Sequence, residues 1–205
     1  MSTLDLFSVP PSETADLLPR RFRDWFASRG WSPREHQLAL LAKAREERSA
    51  LLIAPTGAGK TLAGFLPTLV ELAGEPGGSK LLRQASEAAV EADPRPKVVS
   101  TGRGVRRSGG LHTLYISPLK ALAVDIARNL ETPVAEMGLP IRIETRTGDT
   151  PVSRRQRQRR YPPDILLTTP EQLALLLASD DAPFLFSSLK RVVLDELHAL
   201  VTSKR

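Results

Sequence analysis

The sequence predicts an α/β fold with a doubly wound, mostly parallel sheet, preceded by N-terminal helices. Short aliphatic runs alternate with longer helical stretches along most of the 205 residues. Because each parallel connection needs a crossover long enough to hold a helix, this alternation predicts helices on both faces of one sheet. Apolar residues make up 41% of the chain, which is enough for a sizeable core and argues against wholesale disorder.

Residues 1–48 are interpreted as N-terminal helices. Half of the aromatic residues fall in the first 31 positions and predict a small aromatic cluster, formed by Phe7, Phe22, Trp25, Phe26 and Trp31. Apolar residues recur at helical spacing from Leu17 to Phe26, and Gly30 is placed to end that helix. Ser32 and Pro33 are typical of an N-cap and a first helical residue, which predicts a second helix running towards Arg48.

Residues 49–205 are interpreted as one α/β domain. The predicted strands are residues 50–54, 113–117, 141–145, 165–168 and 191–194, and the predicted helices are residues 61–72, 119–137 and 171–178. Residues 75–110 interrupt this alternation with six glycines and three prolines, and are interpreted as an insertion with a short helix at 81–92. Its basic half, residues 95–107, is interpreted as a solvated loop in preference to a nucleic-acid contact.

Composition excludes several classes of protein. The chain has no cysteine and only three histidines, so it holds no disulfide or thiolate centre, and a structural zinc site is not expected. Its longest uninterrupted apolar run, residues 173–178, is far shorter than the roughly 20 residues that cross a bilayer. The N-terminus has no secretory signal pattern, so we expect a cytoplasmic protein. The net charge of +6 favours a polyanion as partner.

Residues 54–61 read Ala-Pro-Thr-Gly-Ala-Gly-Lys-Thr and lie between an aliphatic run and a predicted helix, the context of a phosphate-binding loop. Glycines at 57 and 59 allow successive N–H groups to converge on phosphate oxygens at a helix N-terminus. Lys60 is expected to reach the β and γ phosphates, and the Thr61 hydroxyl to ligate Mg²⁺. The predicted nucleotide-binding residues here are Thr56, Gly57, Ala58, Gly59, Lys60 and Thr61.

An acid pair follows the last predicted strand. Asp195 is expected to hold Mg²⁺, directly or through water, and Glu196 to polarise the water that attacks the γ-phosphate. Adjacent acids also cap helices or face solvent in many proteins. A pair at a strand end, downstream of a phosphate-binding loop, favours the nucleotide site, with Lys60, Asp195 and Glu196 as its catalytic residues.

Residues 54–61, together with Asp195-Glu196-Leu197-His198, resemble the DExH-box helicases of superfamily 2, whose phosphate loop begins with alanine as it does here. Residues 115–122, 147–149 and 168–173 resemble the segments with which these helicases contact nucleic acid. The resemblance covers residues 25–205 apart from the insertion. It is closest to the Lhr-type (large helicase-related) group, especially its bacterial ligase-associated DNA-repair members, on residues 111–122 and 201–205.

This resemblance implies that residues 49–205 are the first RecA-like domain of an ATP-dependent motor. Its implied partners are single-stranded or forked DNA, with RNA left open, and a DNA ligase and a nuclease of the same repair system. Hydroxyls, amides and a few cations suffice to grip a sugar-phosphate backbone of any sequence. The implied nucleic-acid contacts are Ser117, Pro118, Lys120, Thr147, Gly148, Thr169 and Pro170.

Three further features are interpreted beside the resemblance. Gln37 matches by position the glutamine that contacts adenine in these helicases, and an amide favours ATP over GTP; the alternative is a solvated helix residue. His198 either links the nucleotide site to a later motif or is a structural histidine. Residues 154–160 hold five arginines that point in nearly every direction on a helix, so a solvated helix is favoured over a DNA-binding stripe.

The family's motor has two RecA-like domains, and the second supplies arginine fingers worth about 10³ to 10⁵ in turnover in related enzymes. The isolated chain is therefore expected to hydrolyse ATP very poorly and to unwind no DNA, and to leave a sheet edge exposed. Two other functions stay open: a non-catalytic fragment that binds nucleotide or nucleic acid, and a phosphate-loop ATPase that acts on RNA or RNA–protein complexes.

Overall fold

A computed structural model describes residues 17–55, 57–74 and 110–202. Predictions for Phe7, for Thr56, for residues 75–109 with their short helix, and for residues 203–205 lie outside the described residues. In the described part, helices and strands alternate as α1 (Arg20–Ser28), α2 (Glu35–Arg45), α3 (Lys60–Ala73), β1 (Thr113–Ile116), α4 (Lys120–Glu136), β2 (Ile143–Arg146), α5 (Val152–Arg160), β3 (Ile165–Thr168), α6 (Pro170–Leu177), α7 (Ala182–Leu185), β4 (Arg191–Leu194) and α8 (Leu197–Thr202).

The four strands form one parallel sheet in the order β2-β3-β1-β4. Ile116, the last residue of β1, pairs with Thr168 of β3 and Leu194 of β4, and Thr168 pairs in turn with Arg146 of β2. The carboxyl ends of all four strands therefore lie in line at one edge of the sheet. The parallel sheet is confirmed, as are four of the five predicted strands.

Helices cover both faces of this sheet. On one face, Phe65, Leu66 and Leu69 of α3 pack with α4 against Tyr115 and the odd-numbered residues of β3. On the other face, Leu114 and Leu166 pack against residues of α6 and α7. Because they are covered on both sides, β1 and β3 are buried at every position. The doubly wound α/β class predicted from the alternation is confirmed.

The N-terminal helices pack against the same core. Helix α1 buries Phe22, Trp25 and Phe26, and the ring of Trp25 meets Phe26 and Trp31 edge-on at centroid distances of 5.0 and 5.8 Å. Gly30 takes a φ of 64° just after α1, and its N–H donates to Ala27, as expected of a C-terminal glycine. The predicted aromatic cluster is confirmed for the described members.

Helix α2 begins two residues later than predicted. Arg34, and not Ser32, is the N-cap, and its N–H donates to the side-chain Oε1 of Gln37 at 2.9 Å. The Gln37 N–H donates in turn to the Arg34 carbonyl at 2.9 Å, so the first turn is closed by Arg34 and Gln37 and not by Ser32. Pro33 consequently precedes the helix.

The strand predicted at residues 50–54 is wrong for this structure. Residues 48–55 have no regular secondary structure, and Leu51 and Ile53 are 64% and 87% exposed. A strand needs a neighbour to receive its backbone hydrogen bonds, and no described strand lies beside this segment. The aliphatic composition that predicted a buried strand is real, but its pairing is missing among the described residues.

Among the described residues, the sheet edge that was expected to be exposed is present at β4, which pairs only with β1. Val193 faces the core beneath α3, whereas Val192 and Leu194 point to the opposite face and are 50% and 51% exposed.

Within the described ranges, no helix has the length and apolar character needed to span a bilayer.

Candidate nucleotide and nucleic-acid site

The residues predicted to bind nucleotide and nucleic acid converge on one edge of the sheet. Ser117 follows β1, Thr147 follows β2, Thr169 follows β3 and Asp195 follows β4. Backbone hydrogen bonds continue past the strands here, because Ser117 N–H donates to Thr168 at 3.1 Å and Asp195 N–H donates to Ile116 at 3.0 Å. Ligands of α/β sheets characteristically bind at this carboxyl edge.

The phosphate-binding loop has the backbone geometry that its glycines predicted. Gly57 and Gly59 take φ values of 80° and 74°, a left-handed conformation that other residues rarely adopt. Gly59 is the N-cap of α3, and no side chain caps this helix start. Lys60 and Thr61 form its first turn, so the N–H groups there stand at the positive end of a 14-residue helix.

Gln37 is buried against this loop, and the alternative of a solvated helix residue is wrong. The residue is 3% exposed, and its Nε2 donates to the Gly59 carbonyl at 3.4 Å while Oε1 accepts from Arg34. The amide therefore orients the loop and the start of α2 together. It retains one N–H and one lone pair for a further partner, which is the pair of groups that an adenine edge requires.

The acid pair is fixed by a tyrosine of the neighbouring strand. The Tyr115 hydroxyl donates to Asp195 Oδ2 at 2.6 Å, and Asp195 Oδ1 accepts the N–H of Glu196 at 2.9 Å. Burial, together with the carboxylate of Asp195, raises the pKa of Tyr115, so this hydroxyl stays protonated and remains a donor. Glu196 itself takes a φ of 49°, a strained conformation for a glutamate, and strain of this kind gathers at functional sites.

Apolar packing connects the phosphate-binding helix to the same tyrosine. The ring of Phe65 on α3 lies 5.4 Å from the ring of Tyr115, centroid to centroid. Gly64 of α3 faces β4, where a Cβ would be in ordinary van der Waals contact with Val193 Cγ1, at 3.5 Å. Packing therefore connects the helix that follows the phosphate-binding loop to the strands that precede the acid pair.

An open cavity of about 400 Å³ lies beside the end of β2, between the first turns of α4 and α5. Its lining includes Lys120, Thr147 and the turn that follows Thr147. Ser117, Thr147 and Thr169 are buried, whereas Gly148 is exposed and Pro118 and Pro170 are half-buried. Lys120 at the start of α4 forms an ion pair with Asp149 at 2.6 Å across this cavity, and both side chains are well exposed.

The arginine run forms α5, as predicted, but it is more than a solvated helix. Glu144 of β2 receives Arg154, Arg157 and Gln158, and Arg159 pairs with Asp181. Arg155 instead reaches the turn at residues 147–150. The guanidinium of Arg146 lies nearby, and burial, then the charges of Arg159 and Arg155, lower its pKa.

His198 lies in the short helix after the acid pair, exposed on 78% of its side-chain surface. Its Nδ1 stands 3.5 Å from Glu196 Oε2. The histidine is thus a neighbour of the acid pair on the surface and is not buried at the strand end.

Sequence reasoning missed two residues of this edge. Tyr115 could have been found, because a tyrosine in an otherwise aliphatic buried strand needs a hydrogen-bond partner for its hydroxyl. Arg155 could not, since nothing in the sequence distinguishes it from the four other arginines of its run. Thr56 lies outside the described residues, so the loop's third position has no structural account.

Comparison with known proteins identifies the relatives of this chain. Residues 34–205 match the family model described as DEAD/DEAH box helicase. The chain is 38% identical to the "Lhr helicase/uracil glycosylase" of Escherichia coli over 96% of its own length, and 34% identical to the "ATP-dependent helicase Lhr-Core" of Methanocaldococcus jannaschii over 94%. It spans 12% and 21% of the length of these two relatives, respectively.

A solved structure gives the same relationship in three dimensions. The helicase Lhr of Mycobacterium smegmatis, in a structure described as bound to single-stranded DNA and AMP-PNP, superposes with a TM-score of 0.71 at 34% identity. The match covers 93% of this chain and 22% of that one.

Proposed function

The chain belongs to the DEAD/DEAH box helicase family, and on this premise we propose that it is the ATP-binding part of an ATP-dependent DNA helicase of the Lhr type. The observation that carries the proposal is the alignment of four strand ends, which places an acid and three hydroxyl-bearing residues beside one another at the edge where α/β sheets bind ligands. The family assignment and the RecA-like fold implied by the resemblance are confirmed.

ATP is proposed to bind at the start of α3. The N–H groups of Gly57 to Thr61 and the Lys60 ammonium receive the phosphates, where the positive helix end favours anions. Gln37 lies beside Gly59, and its remaining N–H and lone pair are proposed to bond the adenine edge, which would disfavour guanine.

A magnesium ion is proposed beside the phosphates, and the donor set suits it. The described residues hold no group of three or more acidic or histidine side chains that could bind a metal by themselves. Mg²⁺ characteristically takes one or two protein oxygens and completes its shell with phosphates and water. Thr61 and Asp195 would supply those oxygens, and the ion would neutralise charge that develops on the phosphates.

Asp195, Glu196 and Lys60 are proposed to have separate roles in hydrolysis. Tyr115 and the Glu196 N–H each engage one oxygen of Asp195, so this carboxylate is held in one orientation. Glu196 is left to accept the proton of an attacking water, which requires its carboxylate to be ionised. Lys60 offsets negative charge at the γ-phosphate.

The nucleic-acid backbone is proposed to cross the other three strand ends. Ser117, Thr147 and Thr169 are proposed to contribute their hydroxyls, Gly148 to let the backbone approach closely, and Pro118 and Pro170 to pack beside it. Lys120 supplies a cation once it leaves Asp149. None of these groups reads a base, which suits a translocase that acts on any sequence. DNA repair and a ligase or nuclease partner remain proposals that follow from the resemblance to ligase-associated Lhr helicases, and a cytoplasmic location remains a proposal as well.

Binding by the 205-residue chain tests the proposal more directly than turnover, because arginine fingers from a second domain are needed for fast hydrolysis. Fluorescent ATP and a fluorescent oligo-dT are titrated separately, with Mg²⁺ present. Wild type is expected to bind both. Lys60→Ala is expected to weaken ATP binding about 10- to 100-fold, since a hydrogen-bonded charge is lost, and to leave DNA binding unchanged.

Lys120→Ala is the converse variant, expected to weaken DNA binding and to spare ATP binding. Lys43→Ala removes a lysine of α2 that pairs with Glu46 and serves as the matched control for both. An RNA oligomer of equal length, added as competitor, shows whether DNA is preferred. A wild-type chain that binds neither ligand, or a Lys60→Ala chain that binds ATP like wild type, contradicts the proposal.

A further inference from the structure

Arg155 binds the backbone of the turn that connects β2 to α5. Its Nε donates to the Thr150 carbonyl at 2.8 Å, and its Nη2 donates to the carbonyls of Gly148 at 2.6 Å and Thr147 at 3.3 Å. Three of the five N–H donors of this guanidinium are therefore used on one four-residue turn.

The turn is closed on itself above this guanidinium. Thr147 N–H donates to the Thr150 hydroxyl at 2.9 Å, and Thr150 N–H donates to the Thr147 carbonyl at 3.1 Å. Thr147 and Thr150 are buried, whereas Gly148 and Asp149 between them are exposed. The turn thus has an inner side, held by Arg155, and an outer side at the cavity that contains Lys120.

Peptide geometry connects the two sides. In a planar trans peptide the C=O and N–H bonds point in opposite directions. The carbonyls of Thr147 and Gly148 point at Arg155, so the N–H groups of the next residues, Gly148 and Asp149, point away from it. Within the described ranges, neither N–H donates a backbone hydrogen bond. Two amide donors are therefore presented on the outer side of the turn.

We propose that Arg155 is a positioning residue for nucleic-acid binding: from the inner side it fixes the turn at residues 147–150, so that the amides of Gly148 and Asp149 face a backbone phosphate. The proposal rests on the proposed function, in which this turn contacts nucleic acid. Arg155 itself does not touch the phosphate, because its guanidinium is engaged on the carbonyls. A lysine cannot replace it, since an ammonium lacks the planar fork that reaches three carbonyls at once.

The salt dependence of binding separates a positioning arginine from a phosphate-binding one. Each cation that contacts single-stranded nucleic acid contributes about 0.7 to the slope of log affinity against log salt concentration. Loss of Arg155 should lower affinity without changing that slope, because only neutral amides are displaced. Loss of Lys120 should lower affinity and reduce the slope by about 0.7.

The experiment measures anisotropy of a fluorescent oligo-dT over a range of salt concentrations with the 205-residue chain. Arg155→Met and Arg155→Lys are each expected to weaken binding about 5- to 20-fold, as for a lost charged hydrogen-bond set, at the wild-type slope. Arg160→Met, at the far end of the same helix, is the matched control and is expected to bind like wild type. Circular dichroism of each variant checks the fold.

Hydrogen exchange without DNA reads the turn directly. In Arg155→Met, the Thr147 and Thr150 amides, which are bonded within the turn, are expected to exchange faster than in wild type, with the helices unchanged. A reduced slope for Arg155→Met overturns the proposal in favour of a direct phosphate contact. Wild-type affinity or wild-type exchange in that variant also overturns it. A wild-type chain that does not bind DNA overturns the proposed function, and exchange then still shows whether Arg155 fixes the turn.

Discussion

The nucleotide side and the nucleic-acid side of the sheet edge are held by different kinds of contact. At the nucleotide side, Phe65, Tyr115 and Asp195 come from distant parts of the chain and meet in the core or at its boundary. At the nucleic-acid side, Glu144, Arg155 and the turn at residues 147–150 lie within about a dozen residues and use charged groups near the surface. We therefore expect salt and pH to affect the second side more than the first.

The nucleotide side of the sheet is also less covered by neighbouring elements than the nucleic-acid side. Among the described residues, β4 pairs on one side only and is half exposed at Val192 and Leu194, and the segment before the phosphate-binding loop is exposed at Leu51 and Ile53. β2, the opposite edge strand, carries the charged residue Glu144 and is flanked by α4 and α5. An uncovered edge with aliphatic side chains invites pairing with another chain, whereas charges on an edge prevent it.

The largest effect is expected from Val192→Lys, which tests whether the edge of β4 causes self-association. Wild type should self-associate with rising concentration, because Val192 and Leu194 are half exposed beside a free strand edge. A lysine on that strand should raise the concentration at which association begins by about tenfold, which is a shift of about 1.4 kcal/mol. Light scattering coupled to size-exclusion chromatography measures it.

Val152→Lys is the control for this effect, since Val152 is 68% exposed at the start of α5, on the nucleic-acid side. It adds the same charge and should leave the association unchanged. Equal improvement from both substitutions would mean that net charge, and not the β4 edge, governs self-association.

A smaller effect is expected from Tyr115→Phe on the nucleotide side. The substitution removes only the hydroxyl that donates to Asp195 at 2.6 Å, and it preserves the ring that packs on Phe65. Asp195 should then sample other orientations, so the affinity for ATP with Mg²⁺ should fall about 2- to 10-fold, while affinity without Mg²⁺ stays unchanged. Titration of fluorescent ATP with and without Mg²⁺ measures both.

The second tyrosine of the chain provides the control. Tyr161 is 47% exposed after α5, and Tyr161→Phe should affect neither affinity. If Tyr115→Phe weakens ATP equally with and without Mg²⁺, the hydroxyl stabilises the fold around the loop and has no particular role in orienting Asp195.

Local sequence patterns predicted what depends on local physics, and missed what depends on distant partners. Strand β3 at residues 165–168 and β4 at residues 191–194 were predicted to the residue, because a short aliphatic run marks each of them. The glycines at 57 and 59 indicated a left-handed backbone at these two positions, and both have a positive φ. The strand at residues 50–54 failed because pairing requires a neighbour, which composition does not reveal.

The site shows the same division. Strand ends place Ser117, Thr147, Thr169 and Asp195 at one edge. Asp195 was predicted from its place after the last strand, and the other three from the resemblance to a helicase family. The hydrogen bond of Tyr115 to Asp195 joins residues 80 positions apart, and nothing in the spacing indicates it. Arg155 differs from the other arginines of its run only in the direction of its side chain, which reaches the turn at residues 147–150. That direction depends on how α5 packs against β2.

The smallest effect is expected on the nucleic-acid side, from Glu144→Gln. Burial raises the pKa of Glu144, but hydrogen bonds from Gln158, Arg157 and Arg154 outweigh it, so the pKa is lowered overall. A carboxyl with a lowered folded pKa adds stability above its unfolded pKa of about 4.3 and loses it as the pH falls through the folded value. Glu144→Gln should lower the free energy of unfolding by about 1 kcal/mol at pH 7, and the difference from wild type should shrink below about pH 4. Urea unfolding between neutral and acidic pH measures it, with Glu131→Gln on the exposed surface of α4 as the control. A difference that stays constant down to the lowest pH would show that Glu144 stabilises α5 by packing and not by its charge.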